Sequence, residues 1–197
     1  MRILIIFSLL LLATCTKQKT QIKSAKDYKK EILTIKKYAT KHHYNKDVAF
    51  MIDYSLHSGL NRFFVIDLKK NKILKKGLVC HGDGKGKNNP MFATVFSNTN
   101  ESHCSSLGFS LVSERAYSKW GKHYKYWLNG LEKTNSNMRK RVVVLHAWSG
   151  VPNQSVYPKA IGTSFGCPTV SINFLDSLDT ILKANKKVLL YAIASSK

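Results

Sequence analysis

A chain of 197 residues, 44% hydrophobic and 22% charged, is long enough for one domain with a sizeable core, and no second catalytic domain is expected. Its formal net charge of +21 suits an acidic partner: cell-wall polymer, anionic lipid head groups or nucleic acid. Of the 32 basic residues only Arg2, Arg62, Arg115, Arg139 and Arg141 are arginine, the better reader of phosphate, so nucleic acid is disfavoured and general lysine enrichment accounts for the charge.

The start of the chain reads as an export signal. Met1 and Arg2 precede an apolar run from Ile3 to Leu12, too short to span a bilayer comfortably, followed by Ala13, Thr14 and Cys15. Residues 1–14 are therefore expected to be a signal peptide. Leu12, Ala13 and Cys15 fit a lipobox, with Thr14 where Gly, Ala or Ser is more usual, and Cys15 is the expected lipidation site. Simple secretion is the alternative. Removal of residues 1–14 lowers the charge by one, and residues 15–24, polar and lysine-rich, form a tether. The expected location is periplasmic, with the protein held to the membrane as a lipoprotein, which further disfavours nucleic acid.

Four cysteines are present: Cys15, Cys80, Cys104 and Cys167. With Cys15 acylated, three remain in an oxidising compartment, so at least one thiol stays unpaired within a monomer, and Cys80 with Cys104 is a candidate disulfide. Cys80-His81 and His103-Cys104 also look like metal-ligand pairs. Neighbours on a strand point to opposite faces, however, and no metal site is expected.

Residues 25–47 carry Tyr28, Ile32, Ile35, Tyr38 and Ala39 at helical spacing with lysines on the other face, an amphipathic helix expected to pack on its own domain rather than on a membrane or partner. AFMIDYS, RFFVIDL and ILKKGLVC follow as an antiparallel meander of short strands. HGDGKGKNNP, residues 81–90, is expected to be a mobile loop rimming a pocket. Its G-x-G-x-G lacks the following helix that a phosphate site needs. Ser105, Ser106 and Gly108 form a small-residue cluster that suits either a close-approaching ligand or a strand corner. YKYWLNGLEK reads as a strand with a turn at Asn129-Gly130. Near the end, Ser171 is placed to cap a helix with Ile172, Leu175, Leu178, Ile181 and Leu182 on one side and Asp176 and Asp179 elsewhere, before VLLYAIA as a buried strand. The pattern is mostly β (α+β).

Residues 142–171 carry the chemistry. VVVLHAW is a buried strand delivering His146 at its exit, and IGTSFGCPTVS brackets Cys167 with glycines and a proline, where backbone turns sharply and leaves amide N–H groups beside the thiol. A thiol attacks as thiolate, so an imidazole within reach is its natural base. The N–H groups of Gly166 and Cys167 are suited to hold an oxyanion. On residue types alone, a structural cysteine and a structural histidine remain the commoner case.

The spacing H-x17-S-F-G-C from His146 to Cys167, with Pro168 following, resembles the murein L,D-transpeptidase catalytic domain-like family, whose members tend to carry a Ser-Trp-Gly-Cys-Pro turn. IDYS, FVIDL, HGDGKG, FSN and SSLGF add further likeness, so the resemblance covers residues 48–197. It implies a β-sandwich or barrel with an N-terminal helix and one helix between the last two strands. By that resemblance, Cys167 attacks the diamino acid carbonyl of a peptidoglycan stem peptide, releases D-alanine, and passes the acyl group from a thioester to an amine of another stem. No cofactor is implied, and a monomer is expected. Ser164 matches the family's serine and supports the turn or the donor peptide, and Ala147 offers the carbonyl that orients the imidazole. His81 matches the His-Gly-x-Gly loop, either at the pocket or as a turn-stabilising histidine, and Ser105 and Ser106 are further pocket-lining candidates. The better known branch has histidine at Phe165 and arginine soon after the cysteine, where this chain has Pro168, Thr169 and Val170. The alternatives are an L,D-carboxypeptidase, another Cys-His amide hydrolase, or a non-catalytic basic cell-wall-binding lipoprotein.

Overall fold

A computed structural model describes residues 27–194. The predicted signal peptide, Cys15 and tether lie outside the described residues. Helix α1 (Lys29–Lys41) leads into strands β1 (Val48–Asp53), β2 (Phe63–Asp67), β3 (Lys72–Gly77) and β4 (Val79–Cys80). A long loop reaches β5 (Gly108–Tyr117), β6 (Tyr124–Gly130), β7 (Val144–Ala147) and β8 (Thr169–Val170), and helix α2 (Ile172–Ala184) precedes β9 (Leu189–Ile193). The described residues form one sheet in the order β3-β2-β1-β9-β5-β6-β7-β8-β4. Only Leu78 separates β3 from β4, so the two ends of that order are consecutive in the chain and the sheet bends almost into a ring. The protein is mostly β, with one helix leading in and one between the last two strands.

Strand β1 is buried along its whole length because both its faces are covered. Val48, Phe50 and Ile52 join the main core with Leu128, Leu145, Leu190 and the α2 residues Leu175, Leu178 and Leu182. Ala49 and Met51 point the other way, into a second core with Phe64, Ile66, Phe109 and Leu189. Ile32, Ile35 and Ala39 of α1 fill that second core, and Tyr38 stacks on Phe109 with ring centroids 3.9 Å apart. The apolar stripe of α1 is thus consumed by its own sheet. Among the described residues, no helix is long and apolar enough to cross a membrane.

Several local expectations are corrected. Asn129 and Gly130 make no hairpin turn: they pair with Leu111 and Ser110 inside the β5–β6 ladder, and Leu131 N–H still reaches Phe109 O at 2.9 Å. Asp179 does not stand apart from the leucines of α2 but is buried alongside Leu175, Leu178 and Leu182. It binds Arg115 Nε at 2.9 Å, Tyr126 OH at 2.5 Å and Lys183 Nζ at 2.7 Å. Cys80 and Cys104 are both free and buried. Cys80 packs with Leu78, Val151 and Ile161, whereas Cys104 lies against Gly84, so the two thiols occupy different environments and form no disulfide.

Residues 81–90 do not line the cavity that holds Cys167; they are tied to the cysteine turn. Gly82 bridges Ser164, Asp83 N–H donates to Ser164 O at 2.8 Å, and Ser164 N–H donates to His81 O at 2.8 Å. Asn88 secures the rest, donating to Gly82 O and Val95 O, both at 2.9 Å.

Candidate active site

Two chain segments far apart in sequence become neighbours because β7 and β8 pair in parallel, with His146 opposite Thr169. Residues 148–168 form the connection between them, and the cysteine turn lies just before β8. The result is a cavity of about 730 Å³ whose lining includes His146, Cys167, Ser164 and Thr169. Tyr117, Trp120, Trp148 and Phe165 surround it, all exposed, with Phe165 stacked on His103 at 4.4 Å between ring centroids. Lys119 and Lys125 are the charged lining residues, and no carboxylate lines the cavity.

The turn is held by one hydroxyl. Ser164 Oγ donates to Cys167 O at 2.7 Å and accepts from Gly166 N–H at 3.2 Å. In this structure the Gly166 N–H, expected to face an oxyanion, thus donates to Ser164. Gly166 has φ +107, and a Cβ there would stand 2.7 Å from Cys104 O, so the position excludes any side chain.

The imidazole has a defined tautomer. His146 Nδ1 lies 3.1 Å from Ala147 O, a group that only accepts, so Nδ1 carries the proton. Nε2 is then the basic nitrogen, and Thr169 Oγ1 donates to it at 3.0 Å. Burial lowers the His146 pKa from its ordinary value; the Ala147 carbonyl opposes this, and the charge of Lys125, its cross-strand neighbour, reinforces it. The ring therefore rests neutral at neutral pH.

The thiol is held separately. Val144 N–H donates to Cys167 Sγ at 3.4 Å, and the thiol donates to Val142 O at 3.7 Å. Val142 has φ 57, a conformation that strains a β-branched residue and turns its carbonyl toward the sulfur. Burial raises the Cys167 pKa, while the Val144 N–H and the charges of Arg141 and Lys125 pull it down. Thiol and imidazole thus line one cavity, each with its own hydrogen-bond partners.

The other expected site residues fall into two groups. Ala147 is fully buried and presents its carbonyl to the ring. His81, Ser105 and Ser106 lie away from the cavity lining. His81 is fully buried, accepts from Arg62 Nη2 at 2.7 Å through Nδ1 and donates to Asn89 O at 3.0 Å through Nε2. Ser105 Oγ accepts from Gly82 N–H at 3.0 Å, and Ser106 Oγ donates to Ser97 O at 2.8 Å. These three residues support the loops beneath the site. Among the described residues, no group of three or more His, Cys, Asp or Glu side chains is placed to hold a metal ion.

Four residues were missed from the sequence. Thr169 meets the basic nitrogen, Lys125 stands across the ladder from His146, and Gly121 packs so closely on Ala147 O that a Cβ there would be 2.2 Å away. Arg141 lies under the cysteine turn. Its signal was scarcity: in a chain with only five arginines among 32 basic residues, an arginine marks a place where a planar, multi-donor cation is needed.

Residues 18–191 match the model of the L,D-transpeptidase catalytic domain. The chain belongs to that family. Among solved structures, it is similar to the helical cell shape determining protein Pgp2 from Campylobacter jejuni, with TM-score 0.46 and 11% identity over 78% of this chain and 50% of that one. An L,D-transpeptidase from Xylanimonas cellulosilytica DSM 15894 gives 0.45 and 11% over 80% and 68%. An L,D-transpeptidase from Mycobacterium smegmatis gives 0.45 and 11% over 75% and 59%. The chain spans about half the length of the Campylobacter protein. No curated protein sequence matches it.

Proposed function

We propose that this L,D-transpeptidase family member is a cysteine acyltransferase of peptidoglycan stem peptides, exported to the periplasm and anchored there through a lipid on Cys15. The observation that carries the chemistry is the cavity shared by Cys167 and a neutral His146 whose Nδ1–H is committed to Ala147 O. That arrangement leaves Nε2 as the proton acceptor. The thiol proton moves to Nε2 as the sulfur bonds to the scissile carbonyl carbon. The tetrahedral adduct collapses, the C–N bond breaks, and the imidazolium returns its proton to the departing D-alanine amine. An amine of a second stem then attacks the thioester, loses its proton to His146 and expels the Cys167 thiolate, which is reprotonated.

Two lysines and no carboxylate at the cavity suit a substrate bearing carboxylates next to the scissile amide. The exposed aromatic surround supplies flat apolar surface for its aliphatic parts. Muropeptide mass spectrometry tests the reaction. Purified protein is expected to form crosslinks and release D-alanine, and Cys167→Ala is expected to do neither; undiminished activity in that variant removes Cys167 as nucleophile. Omitting the acceptor amine separates transfer from L,D-carboxypeptidase hydrolysis. An intact-mass adduct after carbapenem treatment separates both from a non-catalytic wall-binding role.

A further inference from the structure

We propose that Arg141 is a positioning residue for Cys167, its guanidinium fixed beneath the Gly166–Cys167 turn so that the thiol ionises within reach of a charge that no carboxylate neutralises. Arg141 precedes β7 and donates from Nη1 to Ser97 O at 2.8 Å and Ser106 Oγ at 2.6 Å. From Nη2 it donates to Cys104 O at 2.7 Å and Ser102 Oγ at 3.2 Å. All four acceptors are neutral. Among the described residues no Asp or Glu pairs with it, and its buried Nε has no partner. A cation held this way keeps its full charge in a half-buried place, where it acts strongly on whatever anion forms nearby.

The thiolate of Cys167 is such an anion. A Cβ placed on Gly166 would stand 3.3 Å from Arg141 Nη2 and 2.7 Å from Cys104 O, so guanidinium, carbonyl and cysteine turn meet at one point. The residue after Arg141 is Val142, whose carbonyl accepts from the thiol. The two residues that lead into β7 thus supply the cation near the turn and a contact to the sulfur. The other titratable groups coupled to this environment are His146 on β7, Lys125 on β6, Tyr54 beyond β1 and Cys104. Of these, Lys125 adds positive charge from the cavity lining, and Arg141, hydrogen-bonded to Ser97, Ser102, Cys104 and Ser106, adds to it.

The better known branch of the family has an arginine soon after the cysteine, and this chain has Pro168, Thr169 and Val170 there. Arg141 is not its substitute in reading a substrate carboxylate, because its Nη donors are spent on Ser97, Ser102, Cys104 and Ser106 and its remaining donor, Nε, is buried. Its effect passes through the sulfur.

The test is the pH dependence of Cys167 alkylation by iodoacetamide in the full-length protein, followed by peptide mass mapping between about pH 6 and 10, with a thermal melt of each variant. Arg141→Gln keeps amide donors for the surrounding carbonyls and removes the charge. It is expected to move the midpoint up by about one unit, which slows alkylation at neutral pH about tenfold with the same plateau at high pH. Arg141→Lys restores a charge and is expected to return most of that shift. A wild-type midpoint in Arg141→Gln, or an equal shift in both variants, overturns the proposal and leaves Arg141 a purely structural hub. Should Arg141→Gln fail to melt cooperatively, Arg141→Met repeats the measurement with a neutral side chain of similar length. Cys167 matters to catalysis only through the function proposed above, but alkylation uses no peptidoglycan, so an absence of transpeptidation leaves this outcome readable.

Discussion

Thr169 holds the nitrogen that the proposed reaction needs. Its hydroxyl donates to His146 Nε2 at 3.0 Å, with Cys167 O as a second acceptor at 3.3 Å, so the base is engaged before any substrate arrives. Breaking one such hydrogen bond costs about 1 kcal/mol, equivalent to about fivefold in rate. Thr169→Val, which preserves shape and removes the donor, is therefore expected to alkylate at Cys167 about fivefold faster at neutral pH, read by the same peptide mapping. A slower rate would instead make the hydroxyl a proton carrier between sulfur and ring. The sequence made His146 and Cys167 legible because each sits at a change of local pattern, one at the end of a branched apolar run and the other between glycine and proline. Thr169 was hidden. It looks like any strand threonine until parallel pairing sets it opposite the imidazole.

Helix α2 shows what sequence pattern resolves at the scale of an element. Ser171 Oγ accepts from Phe174 N–H at 3.2 Å, and Leu175, Leu178 and Leu182 are buried as their spacing requires. The cap also fixes the exit from β8, the strand that carries Thr169. Ser171→Ala is expected to cost about 1 kcal/mol of stability, measured by urea unfolding, with the Cys167 alkylation midpoint unchanged. The partners of Asp179 were beyond such a reading, since Arg115 and Tyr126 lie 64 and 53 positions away. Local periodicity states which side of a helix is apolar. It does not state which carboxylate will be covered by a neighbouring strand.

Across the whole molecule, acid sensitivity follows from histidines enclosed while neutral. His81 is fully buried, and burial, then the charge of Arg62, lowers its pKa from 6.5 to about 4, with the Asn89 hydrogen bond opposing. Between these values the unfolded chain binds a proton that the folded chain does not, so stability falls as pH drops from 6.5 toward 4. The loss from His81 alone is about 3 kcal/mol. His57 and His146, also lowered chiefly by burial, act in the same direction. Thermal melts across this range are expected to show the decline, and His81→Asn, which can still accept from Arg62, is expected to flatten most of it. The HGDGKG stretch was conspicuous in the sequence, but its histidine serves a buried arginine rather than the cavity. Arg62 is fully buried and donates to Val79 O, Leu56 O and His81. No local pattern around Arg62 marks it as buried, because its acceptors come from two other segments, Leu56 and the Val79–His81 stretch.

The single residue between β3 and β4 has a consequence for solubility. Because Leu78 joins the two ends of the strand order, one end of the sheet is the two-residue β4 and the other is β3, leaving little unpaired backbone that a foreign strand could extend. The longer of these borders carries Lys72, Lys75 and Lys76 beside the exposed Ile73 and Leu74. Mutual repulsion of those ammonium groups opposes a border-to-border approach of two molecules, so part of the chain's excess positive charge works against strand-to-strand association along β3.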